Sequence, residues 1–295
     1  MSIKTFLDNN GVNMSNDKSD NFGSHFDWVV TANTVIKNNI IPKTIYIKTD
    51  YLPRFVKDIL PSLKEEFILI NGCSDYSASI NFVNEYNTII NHPYLKMWYT
   101  NNRISLHQKM KAYPGGMCSY SHESFSLIMD ILLSYRTGER VVKKTNDKVL
   151  CVWRDRNGNI CGDQYSTRSS VKKFIESYPN VFEWVDPSLD YVDFYEVMSN
   201  YKYVLCPVGN GIDPSPKFFE AIILKTIPII IRTTNTVDFC RDDFPCILVD
   251  DFEEILVEGF LEKKYEELKD KLESPNILYN LSCEYWANKI KSHFQ

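Results

Sequence analysis

The sequence lacks the marks of several common classes. None of its eight cysteines, at 73, 118, 151, 161, 206, 240, 246 and 283, forms a C-x-x-C pair. Structural zinc sites use that close spacing, so no structural metal is expected. Cys151, Cys206 and Cys246 fall in or beside apolar runs, where a thiol behaves as a small hydrophobe. This fits a reducing compartment better than a disulfide framework. No stretch approaches the roughly 18 apolar residues of a membrane span, and the polar opening MSIKTFLDNNGVNMSNDKSD has no apolar core of signal-peptide length. The expectation is a soluble, cytoplasmic protein with no integral membrane segment, in which the sequons at Asn13 and Asn280 carry little weight. Basic excess is missing too. A net charge of -5 argues against a general nucleic-acid binder, which needs a basic surface to displace counterions, and leaves room only for a local basic pocket. Internal repeats and low-complexity tracts are absent.

What is present suits two globular domains. At 295 residues, with 44% hydrophobic and 24% charged residues, the chain exceeds the usual single-domain size and has enough apolar material for two cores. The first 24 or so residues are rich in Asn, Asp, Ser and Gly and read as an arm. From Thr44 strand-like and helix-like pieces alternate: TIYIK (44–48), a helical period over 51–60, FILI (67–70), a helix over 80–90, a strand at 96–99 and an apolar helix over 124–135. RTGERVVKKTNDK (136–148) is polar and basic and reads as the linker. A second alternation follows, with strands at 149–153, 181–185, 203–206, 227–231 and 246–249 and helices at 169–177, 191–200 and 217–224. Helices over 263–272 and 276–292 close the chain. Strands spaced by helices imply parallel sheets, and ligands bind beyond the carboxyl ends of such strands. The expected division is 1–140, 141–275 and a final helix at 276–295.

One segment concentrates chemistry, CPVGNGIDPSPKFFEAIILKTIPIII (206–231). Pro207 ends the strand, and Gly209, Asn210 and Gly211 make a loop whose backbone can approach a ligand and present N–H groups. Pro216 suits a first helical turn, with Asp213 or Ser215 as cap. The helix start would face an anion, Lys217 adds a positive charge, and Glu220 lies one turn on, able to accept two ribose hydroxyls. Read alone, the same string is also an ordinary strand–turn–helix, and it is no G-x-G-x-x-G fingerprint.

The segment resembles the donor-binding segment of exostosin-like glycosyltransferases, especially the small versions of large DNA viruses. The matching features are Cys206-Pro207, the loop Gly209-Asn210-Gly211-Ile212-Asp213, Lys217, Glu220-Ala221 and Ile227-Pro228. KTDYLPRFVKDILP (48–61), NGCSDYS (71–77), HQKMKAYPGG (107–116) and Tyr285-Trp286 are similar elsewhere, so the resemblance runs from about residue 44. It implies two Rossmann-like α/β domains facing across a cleft, the GT-B type, with the C-terminal helices packing back on the first domain. It also implies an inverting transferase that moves a sugar from a UDP-sugar, UDP-xylose among them, to a glycan or glycoprotein hydroxyl, with no cofactor.

Related sequences often carry His-Arg where this chain has Pro216-Lys217. A guanidinium clamps phosphate bidentately and an ammonium does not, so another arginine is needed. Arg168 is the choice and Arg154 the second; either is otherwise a solvated surface residue. On the family pattern the base lies over the loop after 181–185, where Trp184 and Tyr191 are candidates for stacking or for the core, and backbone near Val185 and Asp186 would read the base edge. Inverting displacement needs a base for the acceptor hydroxyl. Asp75 follows a buried strand and is the first candidate, with helix capping as its other reading; Asp50 is weaker, and His25 and Asp27 are alternatives. His92, His107 and His122 read as structural or exposed. No D-x-D or nucleophile–His pattern stands out, so metal-independent transfer is expected. Two other classes stay open: a metal-dependent transferase of the single-domain GT-A fold, and a sugar-nucleotide or glycan-binding protein without turnover.

Overall fold

A computed structural model describes residues 22–38, 41–117, 122–154, 168–240 and 243–294. Six short runs form the first sheet: β1 (Trp28–Val30), β2 (Val35–Lys37), β3 (Thr44–Lys48), β4 (Phe67–Gly72), β5 (Leu95–Thr100) and β6 (Met110–Ala112). Their order is β2-β1-β3-β4-β5-β6, parallel except for the antiparallel β1–β2 edge pair. All six residues of β4, FILING, are buried, as a central parallel strand covered on both faces requires. The second sheet holds β7 (Asn146–Cys151), β8 (Phe182–Trp184), β9 (Tyr201–Leu205), β10 (Ile227–Ile231) and β11 (Ile247–Val249), all parallel, in the order β11-β10-β9-β7-β8. Pro228 lies in β10 but ahead of Ile229, the first residue paired with β11, so its missing N–H opens no gap in that ladder.

The chain is thus an α/β protein with two Rossmann-like sheets. In the second, the path leaves β7 for β8 on one side and then crosses to β9 on the other. The β7/β9 boundary is therefore the switch point, where a crevice opens beyond the strand ends.

Several elements differ from expectation for local reasons. The helix over 51–60 is a string of 3-10, α and π turns from Thr49 to Ser62, interrupted by Pro53 and Pro61. The helix over 80–90 breaks at Phe82 into Ala78–Asn81 and Val83–Ile90, which leaves Val83 49% exposed rather than on the core face. The last helix divides into Ile277–Asn280 and Cys283–Lys291, the second started by Ser282, whose hydroxyl accepts from Tyr285 N. The strands β1, β2 and β6, three residues each, were too short to register as periodicity.

The polar 136–148 stretch does not run free. Lys144 turns inward at φ 50 and donates to the Tyr201 carbonyl, pinning the stretch to β9. The His122–Arg136 helix before it packs against the Tyr191–Ser199 and Pro216–Ile223 helices of the second unit. The Cys283–Lys291 helix returns to the first unit, packing on residues 22–25, while Trp286 stays among Phe239 and Phe244 of the second. His293 Nε2 then meets Tyr99 OH at 2.7 Å, and the Phe294 ring lies under Lys96. Among the described residues no helix is long and apolar enough to cross a membrane.

Candidate functional site

Two adjoining cavities open at the carboxyl ends of the sheets. The larger, about 650 Å³, lies between the units. Lys48 at the end of β3, Asp50 beyond it, and Cys73, Asp75 and Tyr76 beyond β4 form one wall; Gly209, Asn210, Gly211, Asp213, Arg168 and Pro216 form the other. The smaller, about 350 Å³, sits at the β7/β9 switch point. Trp153, Arg154, Lys217 and Glu220 line it on one side, with an apolar wall of Pro187, Leu189, Tyr191 and Phe194 on the other. Both volumes are in the range of small-molecule sites. Arg168, Ser215 and Pro216 line both cavities and so stand at their junction.

The junction is locally explained. Ser215 is the N-cap of the Pro216–Ile223 helix, Pro216 takes the position that needs no N–H, and no side chain caps the end. Neither Asp213 nor Ser215 supplies the expected side-chain cap, so the positive end of the dipole faces the junction. Arg168 opens its own helix, Arg168–Glu176, with its carbonyl held by the Trp153 indole at 3.2 Å. Its guanidinium donates to the Val208 carbonyl at 3.3 Å and to the Arg154 carbonyl at 3.4 Å, beside the glycine loop.

Apart from Lys217 and Asp213, the expected donor residues divide into three groups. Arg154, Arg168, Gly209, Asn210, Gly211 and Glu220 do face the cavities; Glu220 is 1% exposed and lines the smaller one. Cys206 and Pro207 are buried beneath the loop, and burial pushes the Cys206 thiol up to about 12, so both support the loop rather than meet a ligand. Trp184 and Val185 stand aside from the cavities: the Trp184 ring meets Trp153 edge-on at 4.9 Å under Lys172, and Val185 N bonds the Cys151 carbonyl. The apolar wall comes instead from residues 187–194, which Tyr191 alone had signalled.

Lys217 and Asp213 are also spent differently. The Lys217 ammonium donates to the Val152 carbonyl at 2.6 Å and lies over the Trp153 ring, tying the helix to the end of β7. Burial lowers its pKa, with Cys206 acting the other way and Arg168 reinforcing the shift. Asp213 bridges the units, accepting from Gly115 N at 2.6 Å and Asn235 Nδ2 at 2.7 Å. Desolvation pushes its carboxyl up to about 7, against the pull of those two donors.

Of the four candidate bases, Asp75 and Asp50 face the cleft, where Asp75 Oδ2 accepts from Asn210 Nδ2 at 3.1 Å. Asp27 precedes β1, at the sheet edge opposite the cleft, where its Oδ2 accepts from Lys43 N, Thr44 N and Thr44 Oγ1. His25 lies at the same edge, in the Phe22–His25 turn against the C-terminal helix; burial lowers its pKa and Lys291 adds to the shift. Both lie away from the cleft, because parallel strands carry their amino ends to the opposite side. Asp50 lines the cleft with Lys48 at 3.6 Å.

No family model matches the chain, and no curated protein sequence matches it. Solved structures of related shape include an α1,3-fucosyltransferase, at TM-score 0.42 and 12% identity over 88% of this chain and 79% of that one. TarM gives 0.39 and 11%, over 89% of this chain and 59% of its own. The catalytic domain of Starch Synthase IV from Arabidopsis thaliana, bound to ADP and acarbose, gives 0.38 and 10%, over 86% and 72%. At such overlap and identity they bear on neither substrate nor mechanism.

A cavity of about 660 Å³ also lies behind the second sheet, at the start of β11. Most of its charged residues are paired: Lys264 with Glu267, Arg232 with Asp250 and Asp243 with Lys289. Among the described residues no group of three or more His, Cys, Asp or Glu is placed to share a metal ion.

Proposed function

We propose that the chain is a glycosyltransferase that takes its sugar from a nucleotide sugar. The observation that carries this reading is the junction: two cavities of unlike character meet at Arg168 and an uncapped helix N-terminus. The smaller cavity has an apolar wall for a base and a buried carboxylate, Glu220, for ribose hydroxyls. The junction has a guanidinium and helix N–H groups for a diphosphate. The larger cavity, walled by both units, has room for the sugar and an acceptor. A UDP-sugar, with UDP-xylose among the first to try, follows from the exostosin resemblance.

The proposed reaction is a single displacement. Asp75 takes the proton of an acceptor hydroxyl on a glycan, and the oxygen attacks the anomeric carbon from the face opposite the diphosphate. The bond from that carbon to the phosphate oxygen breaks, and its electron pair leaves with the diphosphate. Arg168 and the helix N-terminus meet the added charge, the kind of preorganised stabilisation that acts most strongly away from water. The two-sheet architecture departs from the single-domain fold of the metal-dependent alternative.

A thermal-shift screen of UDP-, GDP- and dTDP-sugars tests the reading, since a ligand bound only by the folded state raises its stability. Stabilisation by a UDP-sugar, with product formed in the presence of EDTA, is the expected result. Binding without turnover for any donor would favour the sugar-nucleotide-binding protein instead.

A further inference from the structure

Asn102, just beyond β5, joins the two units at the mouth of the cleft. Its side chain is 3% exposed and its backbone is left-handed, φ 48. Its Oδ1 accepts from Ile212 N and Asp213 N, both at 2.9 Å, and its Nδ2 donates to the Ser74 carbonyl at 2.8 Å. Two successive N–H groups converging on one oxygen are a nest of the kind that elsewhere takes an anion. Here a carboxamide from the other unit fills it, so these two amides of the glycine loop are already used.

One planar group therefore joins the loop that carries Asn210 to the loop that carries Asp75, and those two side chains meet at 3.1 Å beside it. Other seam contacts, among them Arg103 N to Asn235 Oδ1, Ala112 N to Asp238 Oδ2 and Gly115 N to Asp213 Oδ2, leave the 73–75 loop untouched. We propose that Asn102 is a positioning residue whose carboxamide fixes the spacing between the 73–75 loop and the 209–213 loop, and with it the alignment of acceptor hydroxyl and donor. The bridge stands on geometry alone; its catalytic consequence rests on the glycosyltransferase reading. Misplacement of reacting groups by about 1 Å can cost on the order of a hundredfold in rate, which is the scale at issue.

Two variants separate the halves of the bridge. Asn102→Asp keeps an oxygen for the nest but has no donor for Ser74. Asn102→Gly removes both and suits the left-handed backbone, so folding is not strained. Three quantities are read: transfer kcat, donor Kd, and hydrogen exchange of the Ile212 and Asp213 amides. In Asn102→Asp the amides stay protected and donor Kd holds within about threefold, while kcat falls roughly ten- to hundredfold. In Asn102→Gly kcat falls as far, the two amides exchange at least about tenfold faster, and donor Kd rises. Parent-like kcat in both variants overturns the positioning role, and parent-like exchange in Asn102→Gly overturns the bridge. If the parent neither binds nor turns over any donor, the glycosyltransferase reading fails, and the exchange measurement still decides the bridge.

Discussion

The Asn102 amide oxygen lies 2.2 Å from where a β-carbon on residue 211 would stand. Gly211 is glycine because the other unit's carboxamide packs against its backbone, not because a ligand does. Gly211→Ala is expected to wedge the seam and destabilise the protein by about 1–3 kcal/mol. At Gly209 the nearest atom to such a carbon is Arg168 Nη2 at 3.3 Å, the mobile end of a long side chain, so Gly209→Ala should cost less. Urea unfolding of the two variants gives the ranking directly, and equal midpoints would contradict it.

Glu220 is placed for ribose hydroxyls. Glu220→Gln keeps the shape of a buried residue and removes the charge, so UDP should bind roughly ten- to a hundredfold more weakly, the scale of charge-assisted hydrogen bonds. Calorimetric titration with UDP is the measurement. Unchanged affinity would remove the smaller cavity from the nucleotide assignment.

Arg168 makes a sharper prediction because it concerns only part of the ligand. Arg168→Lys should weaken UDP by about tenfold or more while leaving uridine unaffected, since an ammonium cannot reproduce a bidentate clamp. Parallel loss of both ligands would instead mean that the substitution disturbs the base and ribose subsite.

Asp213 gives the seam a pH dependence. Its folded pKa, about 7, is above the unfolded value of 3.8, so its contribution to stability is fully present below about 3.8 and is lost as pH rises through 7. Asp213→Asn removes that slope. The stability of the variant relative to the parent should therefore increase between pH 4 and 7, read from denaturation midpoints across that range. A constant difference would show that the carboxyl ionises in the seam without cost.

Asp27 separates structure from chemistry. Three donors converge on its Oδ2 at the far edge of the first sheet, so Asp27→Ala should lower the melting temperature yet leave transfer kcat, measured well below melting, at the parent value. A large fall in kcat would restore it as a base candidate.

The second unit was the more legible in sequence because its signals are local. The run IPIII is buried throughout and strands as expected, and the Pro216 helix starts where proline at the first turn predicts. Arg168 is legible from its position between a strand and a helix, and the fold sets it between two cavities. What the sequence hid was long-range. Asp213 and Lys217 have the composition of ligand groups, but their partners, Gly115 and Val152, are 98 and 65 residues away. Asn102 left only a faint trace, an Asn pair after a strand, where asparagine tolerates a left-handed turn. Trp184 and His25 show the reverse error, residue types suited to a site yet placed outside the cleft by the path of the strands.

The return of the last helix to the first unit has a mechanical consequence. Among the described residues the polypeptide passes between the units twice, once between β6 and the His122–Arg136 helix and again through Cys283–Lys291. Two bodies joined at a single point can swivel about any axis. Joined at two, they keep one easy rotation, about the line through both joints, so the covalent path by itself permits a hinge and resists a twist. A nick in either joint alone would leave the halves attached but release that constraint.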